Sequence, residues 1–345
     1  MSSPAPTLQT IADLAGVSRM TVSRVLRNDR AISEATSRRV KEIAERLKYR
    51  PDPMVSAHMA RLRSMHQVKN PQFIAFFTAA EKEHSWRKQF FFRQIFAAAE
   101  QKASQLGYGI APVWIREPGM TGKRLDQILE AQGVRGIMIG TLKPLSHLRL
   151  DWSRYAIAAL GYTLVRPAFH RVASNHFQTL FLVLRLLRRR GYRRIGLVIT
   201  KKANLQTNHS VLGAFQAWQF QQPRSCQIKP CYLEGNARAK FDRWLQTAHP
   251  DVILTTELEV HSWTLENGMR IPQDLGFVLL SSDIEATDLA HIHRDYSSIG
   301  AALVDLIVSQ LHCNERGIPA VAKVVSIDTA WKEGSSVRRS GVVSA

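Results

Sequence analysis

The sequence predicts an α/β protein of two unlike parts: an all-helical head, then a doubly wound parallel-sheet core in two lobes. Three observations predict it. In the first fifty positions apolar residues recur only at helical spacing. From Gln72 onward short apolar strands alternate with amphipathic helices. Between the two parts lies a basic, polar stretch that suits neither. A chain of 345 residues, 45% of them hydrophobic, has the length for two or three domains and enough apolar surface for a sizeable core. The expected division is 1–51 for the head, 52–70 for a linking helix and linker, 71–335 for the core and 336–345 for a tail.

The formal charge is +19. Residues 1–70 carry 13 Lys and Arg against 6 Asp and Glu, a net of +7. The remaining 275 carry 34 against 22, a net of +12. The first segment therefore holds more than twice the positive charge per residue, which favours a polyanion contact there over general basicity. The three cysteines, Cys226, Cys231 and Cys313, have no metal-ligand spacing, and an odd, sparse set suits a reducing compartment. The opening MSSPAPTLQTIADLAG has neither a basic n-region nor an apolar h-region. The most lipophilic run, FQTLFLVLRLL, is interrupted by Arg185 and is too short to span a bilayer. A cytoplasmic protein, nucleoid-associated when bound to DNA, is expected, with no membrane partner.

In the head, Thr7 is placed to cap a helix whose stripe is Leu8, Ile11, Ala12 and Ala15. Gly16 supplies the positive φ that ends it. Ser18 caps the next helix, RMTVSRVLRN, which turns Val22 and Val25 inward and Arg19, Met20, Ser23, Arg24 and Arg27 outward. Ser33 caps a third, with Val40, Ile43, Ala44 and Leu47 on one face. A helix, a tight glycine turn and a second helix with a polar, basic outer face form a helix-turn-helix, whose second helix enters the DNA major groove. Arginine there can fork onto guanine O6 and N7, while hydroxyls and helix-start amides suit phosphates.

In the core, strands are expected at 73–77, 109–115, 135–140, 156–162, 194–200, 252–256 and 276–282. Helices are expected near 88–106, 121–132, 176–190, 209–222, 238–248, 258–267 and 298–313. This alternation argues a parallel sheet covered on both faces, and its two runs argue two lobes, with a ligand cleft at the carboxyl ends of the strands. Catalytic signatures are missing: no GxSxG, HExxH or GxxxxGK[ST] occurs. His291-Ile292-His293 reads as a loop or strand-end pair rather than a metal site. RLLRRRGYRRIG (185–196) reads as a solvated helix end, its cations near the helix C-terminus and Gly191 closing it. No enzyme activity, cofactor or metal is expected.

TLQTIADLAGVSRMTVSRVLRN followed by ISEATSRRVKEIAERLKYRP resembles the DNA-binding head of the lactose-repressor (LacI/GalR-type) family of bacterial transcription regulators. HFQTLFLVLRLLRRRGYRRIGLV and IPQDLGFVLLSSD extend the resemblance into the core. It implies a DNA-binding repressor, a homodimer on a pseudo-palindromic operator, and the two-lobed fold of periplasmic sugar-binding proteins with a small-molecule effector in the cleft. The rival from another class is an effector-independent architectural DNA-binding protein. By this resemblance Arg19, Met20 and Arg24 read bases. Thr7, Ser18, Thr21 and Ser23 grip the DNA backbone, joined by Arg27 unless Arg27 is only solvated. Effector-cleft positions would be Thr78, Trp86, Tyr162, Asn175, Ser210, Thr256, Ser281 and Tyr296. The chain departs from the sugar-responsive pattern: Ser210 stands where an arginine is usual, Thr256-Glu257 replaces Asn-Asp, and Ser281 replaces an aspartate. Charged groups for gripping sugar hydroxyls thus give way to small hydroxyls. Either the effector is not a sugar, or it is held elsewhere, or none binds.

The link DPMVSAHMARL (52–62) starts like a helix, with Asp52 to cap and Pro53 suited to the first turn, yet is too short to be stable alone in water. In the family this is a hinge helix that orders on DNA and wedges a leucine into the minor groove. Counting from the YxP match puts His58 at the wedge. A slip of one residue puts Met59 there. A third arrangement has Val55, Met59 and Leu62 pairing the helices, with His58 in solvent. If His58 is the wedge, its protonation adds a phosphate-seeking charge, so wild-type operator affinity falls as pH rises through about 6–7, and His58→Leu is flat. Fluorescence anisotropy titrations across that range test it, and flat profiles for both proteins would eliminate the His58 wedge.

Overall fold

In a computed structural model of the chain, the described residues are 6–26, 32–47, 49, 72–142, 150–281 and 288–338. The hinge segment with Val55, His58 and Met59, as well as Arg27, lies outside them.

The head is three helices: α1 (Leu8–Ala15), α2 (Arg19–Leu26) and α3 (Glu34–Arg46). Each begins on the hydroxyl residue expected of it. The Thr7 side chain accepts from Thr10 N at 3.2 Å and Thr10 Oγ1 accepts from Thr7 N at 3.2 Å, a reciprocal capping box with threonine in the usual Glu or Gln place. Ser18 Oγ accepts from Thr21 N at 3.0 Å and Ser33 Oγ from Thr36 N. Gly16 sits at φ 61°, ψ 38°, so the chain reverses sharply between α1 and α2. Ile11, Ala12, Ala15, Val22, Val25, Val40, Ile43 and Ala44 form one small core.

The core of the molecule is two six-stranded sheets. The strands of the first are β1 (Gln72–Thr78), β2 (Tyr108–Trp114), β3 (Gly136–Ile139), β4 (Ala156–Leu160), β5 (His170–Ser174) and β11 (Val324–Ile327), in the spatial order β11-β5-β4-β3-β1-β2, all parallel. The second holds β6 (Ile195–Thr200), β7 (Cys231–Leu233), β8 (Val252–Thr255), β9 (Gly276–Leu279), β10 (Ala290–Arg294) and β12 (Thr329–Lys332), in the order β12-β10-β9-β8-β6-β7, with only β12 antiparallel.

Helices cover both faces of each sheet. In the first lobe α4 (Phe90–Gln105) and α11 (Tyr296–Cys313) seal one apolar layer and α5 (Gly122–Ala131) the other. In the second lobe α6 (His176–Arg189) and α8 (Ser210–Phe220) cover one face. α9 (Ala237–Ala248) and α10 (Glu259–Glu266) cover the other, and the short α7 (Lys201–Gln206) follows β6. The central strands β3, β4, β6, β8 and β9 are buried along nearly their whole length, as parallel strands covered twice must be. Gly300 lets α4 and α11 approach closely, since a Cβ there would lie 2.4 Å from the Ile95 carbonyl oxygen.

Five strands went unread in the sequence: β5, β7, β10, β11 and β12. The predicted helix near 209–222 is preceded by a separate one, α7. Asn208 and His209, at φ 50° and 60°, break the two apart without a glycine. The histidine pair lies in β10, where it faces β12.

Two buried glutamines complete the sheets. Gln310 on α11 accepts from Ile157 N at 3.1 Å and donates to Ile157 O at 3.1 Å, standing in for a strand neighbour where β5 has not yet begun. Gln219 on α8 donates to Ile195 O and accepts from Ile228 N in the second lobe. Gln310→Leu removes both partners of a buried peptide group. It is expected to lower unfolding stability by about 2–4 kcal/mol in urea titrations, against little loss for Gln310→Glu at low pH. A midpoint unchanged in Gln310→Leu would contradict that role.

Candidate nucleic-acid interface

The basic helix α2 is fixed by two buried valines. Val22 and Val25 point into the head core at 0% exposure, and that alone forces the intervening side chains outward. Arg19, Met20 and Arg24 are exposed, Met20 at 71%. Met20 therefore takes no part in the packing of the head core. Ser18 and Thr21 hydroxyls lie 2.9 Å apart at the helix start, beside amide groups that the helix leaves free to face an anion. Ser23 is half-buried. Thr7 is exposed at the start of α1, its hydroxyl engaged in its own cap. The head therefore gathers Arg19, Met20 and Arg24 on one helix face, with hydroxyl residues at its start.

The cleft positions divide more sharply. Thr256 and Ser281 stand at the carboxyl ends of β8 and β9, half-buried. Ser210 opens α8. Tyr162 follows β4, with the Arg171 guanidinium 5.5 Å from its ring centroid. Trp86 and Tyr296, read as cleft residues, are instead buried at 3% and 7%. Trp86 packs between Phe76 and Phe96 at 5.4 and 5.1 Å, and Tyr296 against Phe90 and Phe91 at 6.2 and 6.3 Å. The reason is apolar: the segment before α4 folds back over the first-lobe core and carries the indole with it. Thr78 is also buried, with its hydroxyl directed at Val113 O. Asn175 caps α6 through Oδ1 and donates from Nδ2 to Asp328 at 2.9 Å, so both ends of its amide serve the fold.

Sequence reasoning passed over Thr200 and Arg294 at this edge. The Thr200 hydroxyl, which ends β6 and caps α7, donates to Glu257 Oε1 at 2.9 Å. Thr256 Oγ1 donates to the same oxygen at 2.9 Å. Arg294 ends β10 and donates to Leu280 O. Beside it, burial and the Arg294 charge hold the His176 imidazole down at about 3, so this ring stays neutral. A threonine between a β-branched run and a helical stretch was the available signal for Thr200. Among the described residues no group of three or more His, Cys, Asp or Glu could hold a metal, and no helix is long and apolar enough to cross a membrane.

A three-helix head with a basic recognition face, joined to two parallel-sheet lobes, defines a DNA-binding regulator built on a ligand-binding core. Residues 7–52 match the model of the bacterial regulatory proteins of the lacI family, and residues 184–337 match the periplasmic binding protein-like domain. The chain thus combines a lacI-family DNA-binding head with a periplasmic binding protein-like domain. The HTH-type transcriptional repressor PurR of Actinobacillus pleuropneumoniae is 22% identical over 335 residues, which cover 88% of this chain and 91% of the relative. The sucrose operon repressor of Escherichia coli is 26% identical over 282 residues, 78% of this chain and 81% of that one. Solved structures similar in fold include the transcriptional regulator CelR–cellobiose complex, with TM-score 0.59 and 19% identity. The lac repressor dimer bound to operator and the anti-inducer ONPF has TM-score 0.55 and 20% identity. Each match covers 96% of this chain and 99% of the other.

Replacing Arg24 by alanine is expected to cost roughly 1–3 kcal/mol of discrimination at one base pair of each half-site. Binding to a panel of singly substituted operators measures it. Unchanged preference would remove Arg24 from base reading.

Proposed function

We propose that this protein is a transcriptional repressor that binds a pseudo-palindromic operator as a homodimer, and that a small molecule between the two lobes controls it. The exposed Arg19, Met20 and Arg24 face of α2 carries the reading, with Val22 and Val25 holding it outward. Two copies of one recognition helix related by a two-fold axis require a site with the same symmetry. Base contacts come from Arg19, Met20 and Arg24; phosphate contacts come from Thr7, Ser18, Thr21, Ser23 and Arg27. In the segment 52–70, Val55, His58 and Met59 contact the minor groove. The effector lies at the carboxyl ends of the strands, where Ser210, Thr256, Ser281 and Tyr162 stand. It need not be a sugar. The protein works in the cytoplasm, on the nucleoid.

An effector that favours one relation of the lobes shifts the population between operator-competent and operator-incompetent dimers. Selection from random duplex DNA is expected to enrich a palindrome, at least about a thousandfold tighter than random duplex at physiological salt. Enrichment without palindromy would refute the dimeric operator reading. Strong salt dependence without enrichment would favour an architectural DNA-binding protein.

A further inference from the structure

Glu257 is an unusual carboxylate for this chain. With 47 Lys and Arg against 28 Asp and Glu, acidic side chains have cations in excess around them. Glu257 is half-buried, yet among the described residues it forms no ion pair. Its position is fixed from three sides. Thr200 and Thr256 hydroxyls both donate to Oε1 at 2.9 Å, and its own backbone N–H donates to Thr255 Oγ1 at 3.0 Å. Thr200 ends β6 and Thr255 ends β8, and these strands are neighbours. The carboxylate therefore lies across the carboxyl ends of two parallel strands, where ligands of such sheets bind. Both hydroxyls converge on Oε1, and Oε2 accepts no hydrogen bond among the described residues.

A second group on the same wall is also incomplete. Asn204 lies four residues beyond Thr200, on the same face of α7. It is only 7% exposed. One end of its amide meets His209 Nδ1 at 2.9 Å, while Oδ1 is buried with no hydrogen-bond partner among the described residues. A buried polar atom left unpaired is costly unless something completes it. Ser210, next to His209, adds a hydroxyl and no charge. Lys201 and Lys202 open α7 but are exposed to solvent, and Arg294 ends β10, two strands away from β8, its guanidinium donating to Leu280 O. At the Thr200–Glu257 end of the wall, two acceptor atoms, Glu257 Oε2 and the buried Asn204 Oδ1, thus lack a hydrogen bond among the described residues.

We propose that this wall takes a small molecule bearing a protonated amine, whose N–H groups are accepted by Glu257 Oε2 and Asn204 Oδ1. The proposal rests on the cleft being the effector site, and it names the effector's class. Charge-assisted N–H to carboxylate hydrogen bonds are about twice as strong as neutral ones. Phosphorylated and carboxylated molecules are disfavoured at this end of the cleft.

Three four-carbon probes separate charge from shape: putrescine, butane-1,4-diol and succinate. Binding to the full-length, nucleic-acid-free protein is followed by ligand-observed NMR and calorimetry. The strongly positive surface would attract succinate non-specifically, so a preference for putrescine cannot arise from the surface. Putrescine is expected to bind at least about tenfold tighter than the other two. Glu257→Gln should weaken it about tenfold or more, and Thr256→Val, which keeps the charge but frees the carboxylate, by less. Succinate or the diol binding as well as putrescine, no binding of putrescine, or binding unaffected by Glu257→Gln would each overturn the proposal. Operator affinity without ligand, measured on the same three proteins, keeps the two readings apart: its loss in the wild type would sink the regulator, whereas a failed putrescine experiment sinks only the amine.

Discussion

The two lobes depend on how the chain passes between them. It crosses three times among the described residues: at Asn175 between β5 and α6, at Asp295 between β10 and α11, and at Asp328 between β11 and β12. All three crossings lie at one end, because parallel strands put all their carboxyl ends on the same edge. Asn175 and Asp295 each cap the helix that carries the chain into the other lobe. The Asn175 amide donates to Asp328 at 2.9 Å, and the Thr179 and Thr329 hydroxyls meet at 2.6 Å, so two of the crossings are tied together. Asn175 N also donates to Ile327 O. The edge proposed to hold a ligand is therefore the edge where the lobes are joined, and a ligand there would touch the pivot.

The head obeys a different constraint. A core of eight buried residues, three of them alanines, supplies little apolar burial, so the local devices carry more of the weight. Three hydroxyl caps and one left-handed glycine define where each helix starts and turns. Each cap is worth roughly 0.5–2 kcal/mol, a large fraction of the stability of so small a unit. Arg19, Met20 and Arg24 stay exposed on the outer face of α2, outside this small core.

Much of this was legible because it rests on local rules. Hydroxyl caps, Gly16 and the apolar stripes of α1 to α3 are short-range signals, and the doubly covered strands read as apolar runs. The unread strands fail for a common reason. β5 reads HRVAS, yet all five residues are buried. Arg171 is accommodated because Nη1 donates to Gly161 O and Leu164 O, and His170 Nδ1 accepts from Lys323 N. Those partners are distant in sequence or in loops, so no periodicity announces them. β11 and β12 are edge strands with alternating exposure, and β7 has three residues. At the cleft the sequence identified strand-end positions well but not which side chains stay open. Trp86 and Asn175 were drawn into packing and capping, whereas Glu257 became prominent only once Thr200 was seen to reach it from the neighbouring strand.

Coupling between cleft and head follows from the same geometry. The first-lobe sheet and its helices α4 and α11 form one tightly packed body, Gly300 bringing the two helices together. The second lobe is sealed equally on both faces. Two close-packed bodies joined at one edge move as wholes rather than deforming, because packed interiors resist small strains. The head precedes the first lobe in the chain, so in the proposed dimer a change in the relation of the lobes would reach DNA as a change in the spacing or orientation of the two first lobes. A ligand achieves this only to the extent that it binds one relation better. Moving an equilibrium from 1:99 to 99:1 requires about 10⁴-fold preference. If Glu257 binds the effector as proposed, it would supply part of that, and the remainder would have to come from groups of the first lobe. Tyr162, which follows β4 with its ring under Arg171, is the described first-lobe cleft residue least committed to the core, and so the side chain best placed to make the difference between the two states.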